Sequence, residues 1–117
     1  MICNRLTEFI KVGNGWCRPD ECIANDPDCA LRVNGFHKDD SNSTECKLVC
    51  SNEPSCLGYA IASPSHGVVP NRCYVYGNIP STFNQTLSEW ESYPNDYFSP
   101  TKSNGENNVG CFKIKSM

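Results

Sequence analysis

A chain of 117 residues falls within the range of one domain and can bury one modest core. Its formal charge of −3, with charged residues at 20% and no block of like charge, excludes a nucleic-acid arm. A mean hydropathy of −0.49, without an apolar run near the roughly 20 residues that span a bilayer, predicts a water-soluble chain with no direct membrane insertion.

Leu6-Thr7-Glu8-Phe9-Ile10-Lys11-Val12 carries enough β-branched and aromatic residues for a first strand, which Gly13-Asn14-Gly15 ends, so residues 1–15 form an N-terminal segment and strand. Residues 17–28 hold two prolines and four acidic residues among closely spaced cysteines, with no apolar period, and read as a stapled loop. Leu31-Arg32-Val33-Asn34-Gly35-Phe36 predicts a short second strand, and the polar run over 37–43 supplies helix-capping residues.

A helix is predicted over about residues 43–52. Ser41 or Ser43 can cap it, Glu45 lies near its positive end, and Cys46, Val49 and Cys50 share one face at i, i+3 and i+4. Ser51-Asn52-Glu53-Pro54 stops it, because Pro54 disfavours helical geometry in the residue before it and has no N–H to donate. Leu57-Gly58-Tyr59-Ala60-Ile61-Ala62 and Arg72-Cys73-Tyr74-Val75-Tyr76 predict an antiparallel hairpin with Cys73 facing the helix. Residues 78–109 read as a long irregular loop whose apolar content is mostly aromatic, and Cys111-Phe112-Lys113-Ile114-Lys115 alternates as a closing strand.

Nine cysteines in so short a chain point to an oxidising compartment and a disulfide-braced, cysteine-rich scaffold. Two glycosylation sequons, at Asn42 and Asn84, fit a secreted or cell-surface glycoprotein. Met1-Ile2-Cys3-Asn4-Arg5 lacks the apolar core of a signal peptide, so a mature or excised piece of an exported protein is expected. The odd count leaves at least one thiol free, intermolecular or paired with a segment outside this chain, and Cys3 is the candidate. Two cysteines on one helical face and one on each of two strands favour helix-to-sheet bridges, while counting leaves the pairing open.

Glu45-Cys46-Lys47-Leu48-Val49-Cys50, Cys56-Leu57-Gly58-Tyr59-Ala60, Arg72-Cys73-Tyr74-Val75-Tyr76-Gly77 and Gly110-Cys111-Phe112-Lys113-Ile114-Lys115 together resemble the PAN/apple domain family. The resemblance covers roughly residues 16–115 and is strongest over 46–77 and 110–115. It implies an α+β fold over residues 1–117, a small twisted antiparallel sheet crossed by one helix. It also implies bridges Cys46 to Cys73 and Cys50 to Cys56, with Cys17 to Cys111 tying the first and last strands and Cys22 to Cys29 as a local staple. Members of this family bind extracellular proteins or carbohydrates and are seldom catalytic. The Cys22/Cys29 insertion, Cys3 and the aromatic loop depart from the common pattern.

Other chemistry is less well supported. Cys-x3-Cys followed by Cys-x5-Cys is not the repeated Cys-x2-Cys spacing of a zinc site, and no metal or cofactor is expected. His37 and His66 lie in polar, turn-like contexts that mark neither as a base, and read as solvated loop histidines. Asp20, Glu21, Asp26 and Asp28 lack EF-hand spacing and read as a solvated loop rather than a Ca²⁺ site. The chain is therefore read as a non-enzyme that recognises carbohydrate or glycoprotein, the alternatives being a self-associating repeat unit of a surface or matrix assembly, or a cysteine-rich inhibitor or toxin. Trp16 is assigned to the core, and Trp90, Tyr93, Tyr97 and Phe98 are the ligand-binding candidates, because aromatic faces stack on sugar rings and anchor interfaces.

Overall fold

The computed structural model describes residues 8–23, 29–83 and 89–115. Cys3, Asp26, Asp28 and the Asn84 sequon lie outside them. The chain forms an α+β fold in the order β1 (Phe9–Asn14), β2 (Cys17–Arg18), β3 (Gly35–Lys38), α1 (Ser43–Asn52), β4 (Cys56–Ala62), β5 (Cys73–Gly77), β6 (Glu91–Tyr93), β7 (Lys102–Ser103) and β8 (Val109–Ile114). Six strands make an antiparallel sheet ordered β1-β8-β4-β5-β3-β6, and β2 and β7 pair in a separate antiparallel ribbon. Among the described residues no helix is long and apolar enough to cross a membrane.

The helix lies where its cysteine spacing predicts, but Asn42 caps it rather than Ser41 or Ser43. Its Oδ1 accepts the Glu45 amide at 2.8 Å, satisfying a first-turn N–H. Ser41 is drawn instead to the Glu45 carboxylate, to which its hydroxyl donates at 2.6 Å. Cys46 and Cys50 are buried against the sheet and Val49 packs beside them, the outcome of i, i+3, i+4 spacing. Bridges from Cys46 to Cys73 and from Cys50 to Cys56 fasten the helix to β5 and β4, with Cα separations of 5.7 and 5.3 Å.

Strand alternation splits the core in two. Phe36, Tyr59 and Val75 face the helix, together with Trp90 and the helix cysteines. Ala60, Ala62, Tyr76, Val109 and Cys111 form a second cluster with Cys17 and Val33. On that second face, Cys17 to Cys111 joins β2 to β8 at a Cα separation of 5.2 Å, while Cys22 to Cys29 closes the local loop at 5.8 Å. Cys17 thus belongs to the small ribbon, not to the first strand, and its bridge ties that ribbon onto the sheet.

Element boundaries shift from expectation where tertiary pairing decides them. The first strand runs through Asn14 because β8 continues to pair with it across a register shift between Lys11 and Gly13. The second main strand lies at Gly35–Lys38 rather than 31–36, since β5 and β6 pair with it on either side over those residues. The 78–109 stretch is not wholly irregular, because β6 and β7 form within it by pairing with β3 and β2.

Candidate functional site

On the sheet face away from the helix lies a hollow of about 340 Å³. Its aromatic wall is set by β5, where Tyr74 and Tyr76 alternate with Cys73 and Val75 and so project to the opposite face. The two tyrosine rings stack at 5.6 Å between centroids with 3° between planes. Tyr93 of β6 meets Tyr74 edge-on at 5.9 Å, and Trp16 does so at 5.1 Å from the other side. Gly35 stands between Tyr76 and Tyr93 in the register, and a Cβ there would collide with the Val75 carbonyl, so this closely approached site needs glycine.

Trp16 reaches the hollow through a turn that only glycine makes easily: Gly15 has φ +107° and is flanked too closely by Asn104 and Gly105 for a side chain. Asn104 locks that turn, its Oδ1 accepting the Trp16 amide at 2.9 Å and the Glu106 amide at 3.1 Å. Trp16 is therefore only partly a core residue, packed on one side and lining the hollow on the other.

Charge enters from Arg18, Arg32 and Glu106. Arg18 is only 6% exposed, its Nη1 donates to the adjacent Cys17 carbonyl at 2.9 Å, and its buried Nε has no hydrogen-bond partner among the described residues. Burial and the neighbouring Arg32 charge lower its pKa from the ordinary arginine value, although a guanidinium remains cationic at neutral pH. Arg32 Nη1 donates to the Cys29 and Leu31 carbonyls at 3.0 and 3.2 Å. Burial raises the phenol pKa of Tyr74 and raises that of Tyr76 further, so both hydroxyls stay neutral hydrogen-bonding groups.

Both histidines differ from the expected solvated state. His66 is buried beneath Trp16, its Nδ1 accepting the Val68 and Val69 amides at 3.2 and 3.0 Å, which leaves Nε2 to donate to Glu106. His37 lies on β3 beside Tyr74, with Nε2 3.2 Å from a Glu91 carboxylate oxygen. Burial, then the Arg72 charge, lowers the His37 pKa below the ordinary value of about 6.5. Between the lowered value and about 6.5 the unfolded chain binds more protons, so stability present above about pH 6.5 is lost as pH falls through the folded pKa. Thermal melts across that window should slope less in His37→Gln than in the wild type; equal slopes would contradict this assignment.

The four aromatic candidates do not form one site. Trp90 is 2% exposed in the helix-side core, against Phe83 and not a ligand face. Tyr93 joins the hollow. Tyr97 and the exposed Phe98 border a separate shallow depression with Asp20 and Glu21. Asp20 there accepts a hydrogen bond from Thr101. Asn34 anchors this stretch, accepting the Asn95 amide at 2.9 Å and donating to the Gly77 carbonyl at 2.7 Å. The Asn42 sequon lies exposed at the helix cap.

Sequence reasoning missed Arg18, Arg32, Tyr74 and Tyr76 as lining residues. The tyrosines were detectable, since i and i+2 positions of a strand share a face and Cys73 already faced the helix. The arginines gave no local pattern. No protein-family description, no curated protein and no solved structure matches the chain, so the chemistry of this hollow carries the functional reading.

Proposed function

We propose that this chain is a secreted or cell-surface, non-catalytic recognition module of the PAN/apple type that binds carbohydrate, free or on a glycoprotein, through the aromatic hollow on the helix-free sheet face. The observation that carries the reading is the concentration of Trp16, Tyr74, Tyr76 and Tyr93 around one cavity with Asn104, Glu106 and two arginines. A pyranose has apolar C–H faces and a polar rim, and such a ring pairs with an aromatic wall bearing phenol, amide and guanidinium groups. At about 340 Å³ the hollow lies at the small end of ligand sites, a size suited to one or two sugar rings. The PAN/apple assignment is supported by one helix bridged to a central hairpin by Cys46 to Cys73 and Cys50 to Cys56. Four disulfides fit an oxidising extracellular setting.

Tyr93→Ala tests the reading, because Tyr93 lies on the edge strand and is only half-buried. On a glycan array the oxidised wild type should bind a restricted set of glycans. Tyr93→Ala should weaken that binding on the order of tenfold or more, in line with loss of an aromatic anchor. Absence of binding across the array, or binding unchanged in a folded Tyr93→Ala protein, would overturn it.

A further inference from the structure

Arg18 poses a physical problem within the fold. A guanidinium buried to this depth is costly unless paired or fully hydrogen-bonded. Arg18 takes part in no ion pair among the described residues, and its Nε has no acceptor. The chain as a whole is acidic at −3, so a general excess of cations does not account for a buried one. Arg32 borders the same cavity and adds a second positive charge. The carboxylate of Glu106 partly offsets them, but its hydrogen bond is to His66 and not to either arginine.

Resting on the carbohydrate reading, we infer that the hollow selects an acidic saccharide, whose carboxylate or sulfate pairs with the Arg18 guanidinium at the cavity wall while its ring lies against Tyr93 and Trp16. A planar guanidinium matches the oxygens of either anion, and the low local dielectric strengthens the contact. Arg32 adds long-range attraction at the same cavity. The aromatic wall holds the sugar body, so the ion alone is an incomplete ligand. Loss of water around the anion on entry is offset by pairing a buried cation that has no ion pair among the described residues.

The test titrates the oxidised chain, by calorimetry or amide NMR, with glucuronate, its methyl ester, glucose, galactose 6-sulfate, galactose and inorganic sulfate. The expected result is an affinity for glucuronate or galactose 6-sulfate on the order of tenfold or more above that for the matching neutral sugar. Which acid wins distinguishes carboxylate from sulfate. Added salt should weaken the acidic sugar and leave the neutral one nearly unchanged. Arg18→Gln should erase the preference, and Arg18→Lys should restore part of it, since it keeps the charge but not the planar fork. The wild-type salt and ester comparisons stand even if an Arg18 variant does not fold. Equal binding of acidic and neutral sugars would overturn the inference and leave the carbohydrate reading intact. Inorganic sulfate binding as tightly as the sulfated sugar would overturn the inference, leaving an anion site only. No sugar binding at all would overturn both.

Discussion

Replacing both Cys17 and Cys111 by alanine is expected to lower the unfolding free energy by about 4–5 kcal/mol, the largest loss of any bridge removal among the three that fasten the sheet. The bridge closes a separation of 94 residues, against 27 for Cys46 to Cys73 and 6 for Cys50 to Cys56. In the loop-entropy account those two shorter loops are worth about 3.6 and about 2.4 kcal/mol. The inner bridges shorten the effective outer loop, but the dependence on length is logarithmic, so the ranking survives. Local geometry adds to the effect, because Cys17 holds β2 against the sheet and the same strand carries Arg18 into the hollow. A domain of this size has a total stability of only about 5–15 kcal/mol, so the double variant approaches the limit of folding. Urea denaturation of the three oxidised double-alanine proteins checks the order; a smaller loss for the outer bridge than for Cys50 to Cys56 would contradict it.

Trp90→Ala is expected to cost about 3–5 kcal/mol, the range for emptying a buried tryptophan site. Its indole is 2% exposed among Phe36, Ile79 and the helix bridges. It meets the Phe83 ring edge-on at 5.3 Å and lies beneath Lys38 Nζ at 5.9 Å. Truncation leaves a void that the disulfide-fixed helix cannot collapse to fill, so the upper half of the range is expected. The fall in melting temperature should be on the order of 10–20 °C, with Trp90→Phe recovering much of it. Tyr93→Ala, by contrast, removes a half-buried edge-strand ring. Comparing calorimetric melts separates the roles: Trp90→Ala should be the less stable and Tyr93→Ala the weaker binder. A Trp90→Ala protein as stable as the wild type would contradict the core assignment.

The parts of the fold readable from sequence are those in which local chemistry and tertiary demand agree. Cys46, Val49 and Cys50 at helical spacing, ended by Pro54, located α1, and the β-branched and aromatic runs on either side of 63–71 located the central hairpin. Asn42 took the cap from its serine neighbours because Ser41 bonds to Glu45, a competition no residue pattern displays. Strands β6 and β7 were not legible, since three and two residues carry no usable period and each strand exists only through its partner. The candidate site was legible in kind but not in place. Tyr93 was found, Trp90 turned inward, and the remaining wall came from Trp16, Tyr74 and Tyr76 in two other sequence segments. Arg18, between Cys17 and Pro19, resembles any surface arginine until the Cys17 bridge and the β2–β7 ribbon bury it.

Backbone and indole N–H resonances of the oxidised chain, followed during titration with glucuronate, show whether the helix-free hollow is the binding surface. Saturable shifts concentrated at Trp16, Arg18, Tyr74, Tyr93 and Asn104, with the helix undisturbed, are the predicted result. Shifts centred on the Tyr97 and Phe98 depression or on the helix face, or none up to high ligand concentration, would contradict it.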